Sequence, residues 1–301
     1  SAKRAACRAS KARRSGSFAK TDHVGSARAP LSPFVLVKGA GEMGSAIAWR
    51  LHMANMGRIC MLDLENPLCV RRRVSYCTAL ETGATAVEGV AALAARDPAA
   101  IEAAWCAGKI AVVRTTDWGK ARGLSPEVVI DAILAKRNLG TRKDEARLVI
   151  ALGPGFEAGV DCHFVIETNR GHDLGRIIVS GSAQANTGDP GEIAGFTSER
   201  VLRAPAAGPF RTGLEIGSTV RKGDVIGQVA GQPVCAGLDG VLRGLIRPGT
   251  EVVKGIKLGD IDPRGRREYC DTISDKARSI AGAVLEAIMR DLNRPVAGAQ
   301  C

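Results

Sequence analysis

Three glycines and one acid carry the clearest chemical signal in this chain. Gly39, Gly41 and Gly44 follow the apolar run Phe34-Val35-Leu36-Val37, and Asp63 closes a second apolar run, Ile59-Cys60-Met61-Leu62. Between them Ala46, Ile47, Leu51 and Ala54 repeat at helical spacing, and Gly57 ends the pattern. A strand, a G-x-G-x-x-G loop, a helix, a strand and an acid about 20 residues on form the dinucleotide fingerprint in its full context. Gly39 permits the tight turn, Gly41 lets backbone approach a pyrophosphate, and Gly44 lets helix pack on strand. The free N–H groups and dipole of the helix start, where Glu42 and Met43 stand, favour an anion.

Downstream residues extend the same chemistry. Lys109–Arg114 reads as a strand leading to Thr115-Thr116-Asp117, and Leu148–Leu152 as another leading to Gly153-Pro154-Gly155-Phe156-Glu157-Ala158-Gly159. In this second loop the glycines around Phe156 suggest backbone shaped to approach a ligand. Arg170 and His172, in the polar stretch after Phe164–Glu167, offer positive charge to a phosphate or carboxylate. The candidate ligand-binding set is thus Gly39, Gly41, Glu42, Met43, Gly44, Asp63, Thr116, Gly153, Gly155, Phe156, Arg170 and His172. The sequence assigns no catalytic residue, and no metal is expected: Cys162, His163, Glu167 and His172 match no ligand spacing. Cys162 and His163 cannot act as nucleophile and base, because strand neighbours point to opposite faces.

These loops need a scaffold. Helices are expected over 71–80, 98–106 (opened by Asp97-Pro98) and 125–136, alternating with strands. The fold class is therefore α/β, a Rossmann-like doubly wound sheet over 34–200. Residues 204–229 and 236–261 then repeat at an offset of 32 without gaps: Gly208 matches Gly240, Arg211 matches Arg243, Gly217 matches Gly249, and Lys222-Gly223 matches Lys254-Gly255. Neither copy can bury its face alone. The pattern resembles biotinyl and lipoyl carrier domains, so 201–265 is expected to form a barrel-sandwich-hybrid-like β module. The joining segment Gly231–Cys235 lacks the modifiable Lys, which argues against a carrier role. A C-terminal helix over 266–292, with the stripe Ile273, Ala277, Ile280, Ala281, Val284, Leu285 and Ile288, packs on the core, and 293–301 is a tail.

The net charge is +11, but residues 1–33 hold eight Lys or Arg against Asp22 alone, +7 of that total. This Ser-, Ala- and Gly-rich arm is expected to be a disordered basic extension, and its single Phe argues against nucleic acid as a partner. Nowhere do 18 apolar residues run together, so no membrane partner is expected. The nine cysteines include no C-x-x-C pair, as in a reducing cytoplasm.

Three blocks carry a family resemblance: V-K-G-A-G-E-M-G-S-A-I-A-W-R-L-H at 37–52, L-G-P-G-F-E-A-G-V-D-C-H-F-V-I-E-T-N-R-G-H-D-L-G-R at 152–176, and L-G-D-I-D-P-R with C-D-T-I-S-D-K-A at 258–277. Together they resemble the YqeB-type accessory proteins of the selenium-dependent molybdenum hydroxylase system. In its Rossmann part that family is similar to xanthine dehydrogenase accessory factors. The resemblance covers roughly 34–292 and implies an accessory or maturation role rather than a classical enzyme. The implied ligand is a dinucleotide or molybdopterin-type nucleotide, and the implied partner is a molybdenum hydroxylase apo-enzyme. The alternative is an NAD(P)-dependent oxidoreductase. Against it stand the lack of a Tyr-x-x-x-Lys pair and of any catalytic grouping among four His residues.

Overall fold

The computed structural model describes residues 32–120, 123–186, 188 and 191–294. The basic extension lies outside them, but for its last residues, as does most of the 293–301 tail. Chain order runs β1 (Val35–Lys38), α1 (Glu42–Met53), β2 (Ile59–Asp63), α2 (Ala79–Thr82), β3 (Ala84–Val87), β4 (Val90–Ala95), α3 (Pro98–Cys106), β5 (Ile110–Arg114), α4 (Thr115–Trp118), β6 (Val128–Asp131), β7 (Leu148–Leu152), β8 (Glu157–Ala158), β9 (Phe164–Ile166), β10 (Ile177–Ile178) and β11 (Gly181–Ser182). A nine-stranded sheet has the order β10-β9-β7-β6-β1-β2-β5-β4-β3. Strands β9 to β4 run parallel, whereas β10 and β3 close the two edges antiparallel.

Side-chain alternation splits this sheet into two apolar faces. Val35, Val37, Ile59, Met61 and Ile130 bury against α1 and the C-terminal helix α5 (Asp275–Leu292). Leu36, Cys60, Leu62, Val113 and Val129 bury against α3 and Phe156. Asp97 caps α3 by accepting from Ala100 N–H at 2.8 Å, with Pro98 at the first helical position. Ser274 caps α5 in the same way, through Ala277 N–H.

The doubly wound Rossmann-like sheet is corrected to a mixed α/β arrangement of large sheets with a C-terminal helix. The crossovers β6–β7 and β7–β9 carry no α-helix, since residues 133–147 contain only the 3-10 turn Lys143–Glu145. Expected helix 125–136 holds the strand Val128-Val129-Ile130-Asp131, because its β-branched run suits a fully buried central strand. Expected helix 71–80 is mostly 3-10 turns, Arg72–Val74 and Tyr76–Thr78. The face that crossover helices would cover is instead covered by α5, arriving from the far end of the chain.

The repeat builds two further four-stranded sheets. These are β12-β19-β17-β14 and β16-β15-β13-β18, from β12 (Val201–Arg203), β13 (Gly208–Arg211), β14 (Thr219–Val220), β15 (Val225–Val229), β16 (Gln232–Cys235), β17 (Gly240–Leu245), β18 (Glu251–Val252) and β19 (Lys257–Asp262). Equivalent strands sit in opposite sheets: β13 and β17, β14 and β18, β15 and β19. Each copy thus contributes to both sheets, and Phe210, Leu242, Leu245 and Leu258 fill one core between them. The module is tied to the large sheet through residues 70–72. Leu245 N–H donates to Val70 O at 2.8 Å, and Arg72 Nε–H donates to Leu245 O at 2.8 Å.

Two glycines of the first loop have contrasting structural needs. A Cβ on Gly44 would overlap the carbonyl oxygen of Gly39, whereas one on Gly41 would meet nothing within 4 Å. Gly44→Ala should therefore cost about 2–3 kcal/mol in denaturant unfolding, as overpacking does. Gly41→Ser places a favoured N-cap residue in an allowed conformation and should change stability by less than about 0.5 kcal/mol. Equal losses for the two variants would show this reading of the loop to be wrong.

Candidate functional site

At the carboxyl end of β1 the chain turns on Gly39, at φ +95°, and enters α1. Gly39 N–H donates to Leu62 O at 2.7 Å and Ala40 N–H to the Asp63 carboxylate at 2.8 Å. The other Asp63 oxygen accepts from Leu64 N–H at 2.8 Å. Asp63 is thus the clamp that fixes the loop, and both its oxygens are engaged. Burial raises its pKa, and the two backbone bonds oppose that shift. Ser45 Oγ–H donates to Ala40 O at 2.9 Å and accepts Tyr76 N–H at 2.8 Å, pinning the loop from below. Among the described residues no side chain caps the α1 start, so its first N–H groups keep the donor capacity and partial positive charge that attract an anion.

Beside this helix start lies a cleft of about 360 Å³ between the large sheet, the module and the first turn of α5. From the sheet side and α5 it is lined by Arg71, Lys136, Arg170 and Lys276, and from the module side by Arg200, Arg203, Arg243 and Lys257. Among the described residues only two carboxylates, Glu42 and Asp260, line it with them. Eight cationic side chains against two carboxylates leave a large positive excess, and low-dielectric walls focus such a field.

The pairing inside the cleft shows which charges are engaged. Asp260 is 1% exposed and is met by Arg200, by Arg243 Nε–H and Nη2–H at 3.0 and 2.6 Å, and by Lys257 at 3.4 Å. Burial works to raise its pKa, but these cations overcome it and hold it below the ordinary carboxylate range. Arg71, 5% exposed, donates to Tyr269 O and Thr272 O at 2.9 and 3.1 Å and reaches Glu42 at 3.4 Å. Its Nε–H has no partner among the described residues. Arg170 forks onto Asp275 with bonds of 2.6 and 3.1 Å. Burial lowers the pKa of Lys257, against the pull of Asp260. It lowers that of Lys276 too, helped by the charge of Arg170.

Of the residues expected from sequence, Glu42, Met43 and Arg170 line this cleft, and Gly41 opens the helix beside them. Gly39 and Gly44 serve the turn and the helix–loop contact, and Asp63 serves the clamp. Thr116 is exposed on α4 beyond β5 and does not line the cleft. Gly153 and Gly155 are required for close packing: a Cβ on Gly153 would stand 2.5 Å from Thr168 Oγ1, and one on Gly155 2.5 Å from Arg137 Cα. Phe156 is 4% exposed within the core, and His172 is exposed away from the cleft. His163 is structural, its Nδ1 accepting Val149 N–H at 2.9 Å.

Arg71, Lys136, Arg200, Arg203, Arg243, Lys257 and Lys276 were not marked out as a group by the sequence. One signal was available. Where the two repeat copies differ, Lys257 stands opposite Val225 and Asp260 opposite Gln228. Charge that breaks an otherwise apolar or neutral repeat position marks the second copy as the one that builds a site.

Fold and cleft define a mixed α/β chain with a strongly cationic, half-enclosed site. The chain is a homologue of YqeB of Escherichia coli strain K12, a protein described as uncharacterized: the two are 47% identical over 262 residues, 87% of this chain. The match takes in 48% of the relative, so the chain spans about half the length of the curated protein it resembles. No protein-family model matches. Among solved structures, an aspartoacylase family protein from Mesorhizobium loti shares 12% identity over 76% of this chain and 85% of its own, with a TM-score of 0.25. A succinylglutamatedesuccinylase/aspartoacylase from Rhodobacter sphaeroides shares 20% over 29% and 30%, with a TM-score of 0.21. Likeness at these scores carries neither fold nor function across.

The Arg170–Asp275 pair yields a pH test. Hydrogen bonding to Arg170 depresses the Asp275 pKa from 3.8 to about 2. A depressed carboxylate contributes stability that is complete above its unfolded pKa and is lost as pH falls through the folded one. Carbon-13 titration should show Asp275 ionised at pH 3 and protonating near 2; Arg170→Ala should return it to near 3.9. A midpoint near 4 in the unmodified protein would contradict the pairing.

Proposed function

We propose that this chain binds a phosphate-bearing, nucleotide-type ligand in the cationic cleft and serves as an accessory factor in the maturation of a molybdenum hydroxylase. The ligand would be a dinucleotide cofactor such as the molybdopterin dinucleotide, assisted in its modification or insertion into the apo-enzyme. The observation that supports ligand binding most is the excess of eight cations over two carboxylates beside an uncapped helix start. Phosphate oxygens would take up donor capacity that the protein leaves open at the start of α1. The open space at Gly41 supports close approach of the ligand to the backbone. The maturation role rests on the three sequence blocks that resemble the YqeB-type accessory proteins.

Calorimetry with inorganic pyrophosphate and with a dinucleotide tests the binding step. Gly41→Val should weaken binding at least tenfold, about 1.4 kcal/mol, with unfolding stability nearly unchanged. Equal affinity in both proteins would remove the glycine loop from the site. In a deletion strain, Arg170→Ala should lower hydroxylase activity, whereas His172→Ala, lying outside the cleft, should not. Steady reduction of a substrate by NADH or NADPH would favour the oxidoreductase instead.

A further inference from the structure

Most of the cleft's guanidinium groups are already held by carboxylates or carbonyls, but two amines, Lys136 and Lys276, are not, and of these Lys136 is exposed while Lys276 is half-buried. Lys276 stands in the first turn of α5, just after the Ser274 cap, and is half-buried against the cleft. Among the described residues it has neither a carboxylate within 4.0 Å nor a hydrogen-bond partner. Arg170 is the charge that acts on it most strongly, followed by the opposing carboxylate of Glu42 and then by Lys257 and Glu167. A lysine used solely for structure would find a partner or extend into water. A desolvated lysine beside other cations is instead the arrangement that yields a neutral, nucleophilic amine. Burial and the neighbouring Arg170 lower its pKa, as that arrangement requires.

We propose that Lys276 is a reactive amine that condenses with an aldehyde or ketone carried by the phosphate-bearing ligand of this cleft. The inference rests on the anion-binding reading above and narrows the ligand class to a carbonyl compound bearing phosphate. The amine nitrogen adds to the carbonyl carbon and the C=O π pair moves to oxygen. The resulting carbinolamine passes its nitrogen proton to the hydroxyl group, which leaves as water. Amine plus carbonyl give imine plus water, with no oxidant or reductant. Glu42 faces the same cleft and can carry the proton. The other cations fix the phosphate, so the carbonyl meets the amine at high effective concentration.

Pyridoxal 5′-phosphate followed by borohydride, with peptide mapping, is the probe. A single dominant adduct at Lys276 is expected, at least tenfold stronger than with phosphate-free pyridoxal. Lys276→Arg removes the primary amine and should lose the adduct, whereas Lys254→Arg, outside the cleft, should keep the adduct and bind inorganic pyrophosphate within about threefold of the unmodified protein. Labelling spread over exposed lysines such as Lys222 and Lys254, labelling at Lys257 alone, or indifference to the phosphate would overturn the proposal. Failure of pyrophosphate to bind either protein would instead sink the anion-binding reading, so the two failures are distinguishable.

Discussion

The cleft depends on a single buried carboxylate. Asp260, 1% exposed on β19, is approached by Arg200, Arg243 and Lys257. A lone buried charge is too costly to keep, so a cation there is obligatory. Three cations for one carboxylate is more than neutrality needs, and the surplus faces the cleft. Asp262, the next inward residue on the strand, takes Arg264 at 2.6 Å and a longer contact from Arg243. The module thus supplies a rigid, pre-oriented cationic wall, and such preorganised charge is effective because it need not rearrange on binding.

The opposite wall is built from different physics. There the glycine loop is held in place by Asp63 and Ser45, and α1 presents bare N–H groups and a partial positive charge. Residues 70–72 connect the two walls. Val70 and Arg72 bond to β17 of the module, and Arg71 between them reaches the segment leading into α5. A substitution that loosens this strap would move one wall against the other without touching either set of cations.

Much of the local structure was legible in the sequence, because it is fixed by short-range pattern. The apolar runs of β1, β2, β5 and β7, the glycine turn into α1, the Asp97-Pro98 cap and the α5 stripe all follow from residues within a turn or two of each other. The repeat was legible because 32-residue spacing survives in sequence. Other features depend on distant partners. Val128–Asp131 became a strand because β1 and β7 flank it, and Gly153 and Gly155 serve contacts with Thr168 and Arg137 rather than a ligand. The cationic cleft draws on positions from Arg71 to Lys276, which no local pattern places together. The family resemblance pointed to an accessory protein, but did not reveal where its charge converges.

A structure of the protein grown with ADP, whose phosphorus atoms are located by anomalous scattering, tests the central claim most directly. Both phosphorus atoms should lie in the cleft, with phosphate oxygens at hydrogen-bond distance from the α1 N–H groups and from cations of both walls. Phosphorus bound elsewhere on the protein, or a cleft still empty at saturating ADP, would contradict it.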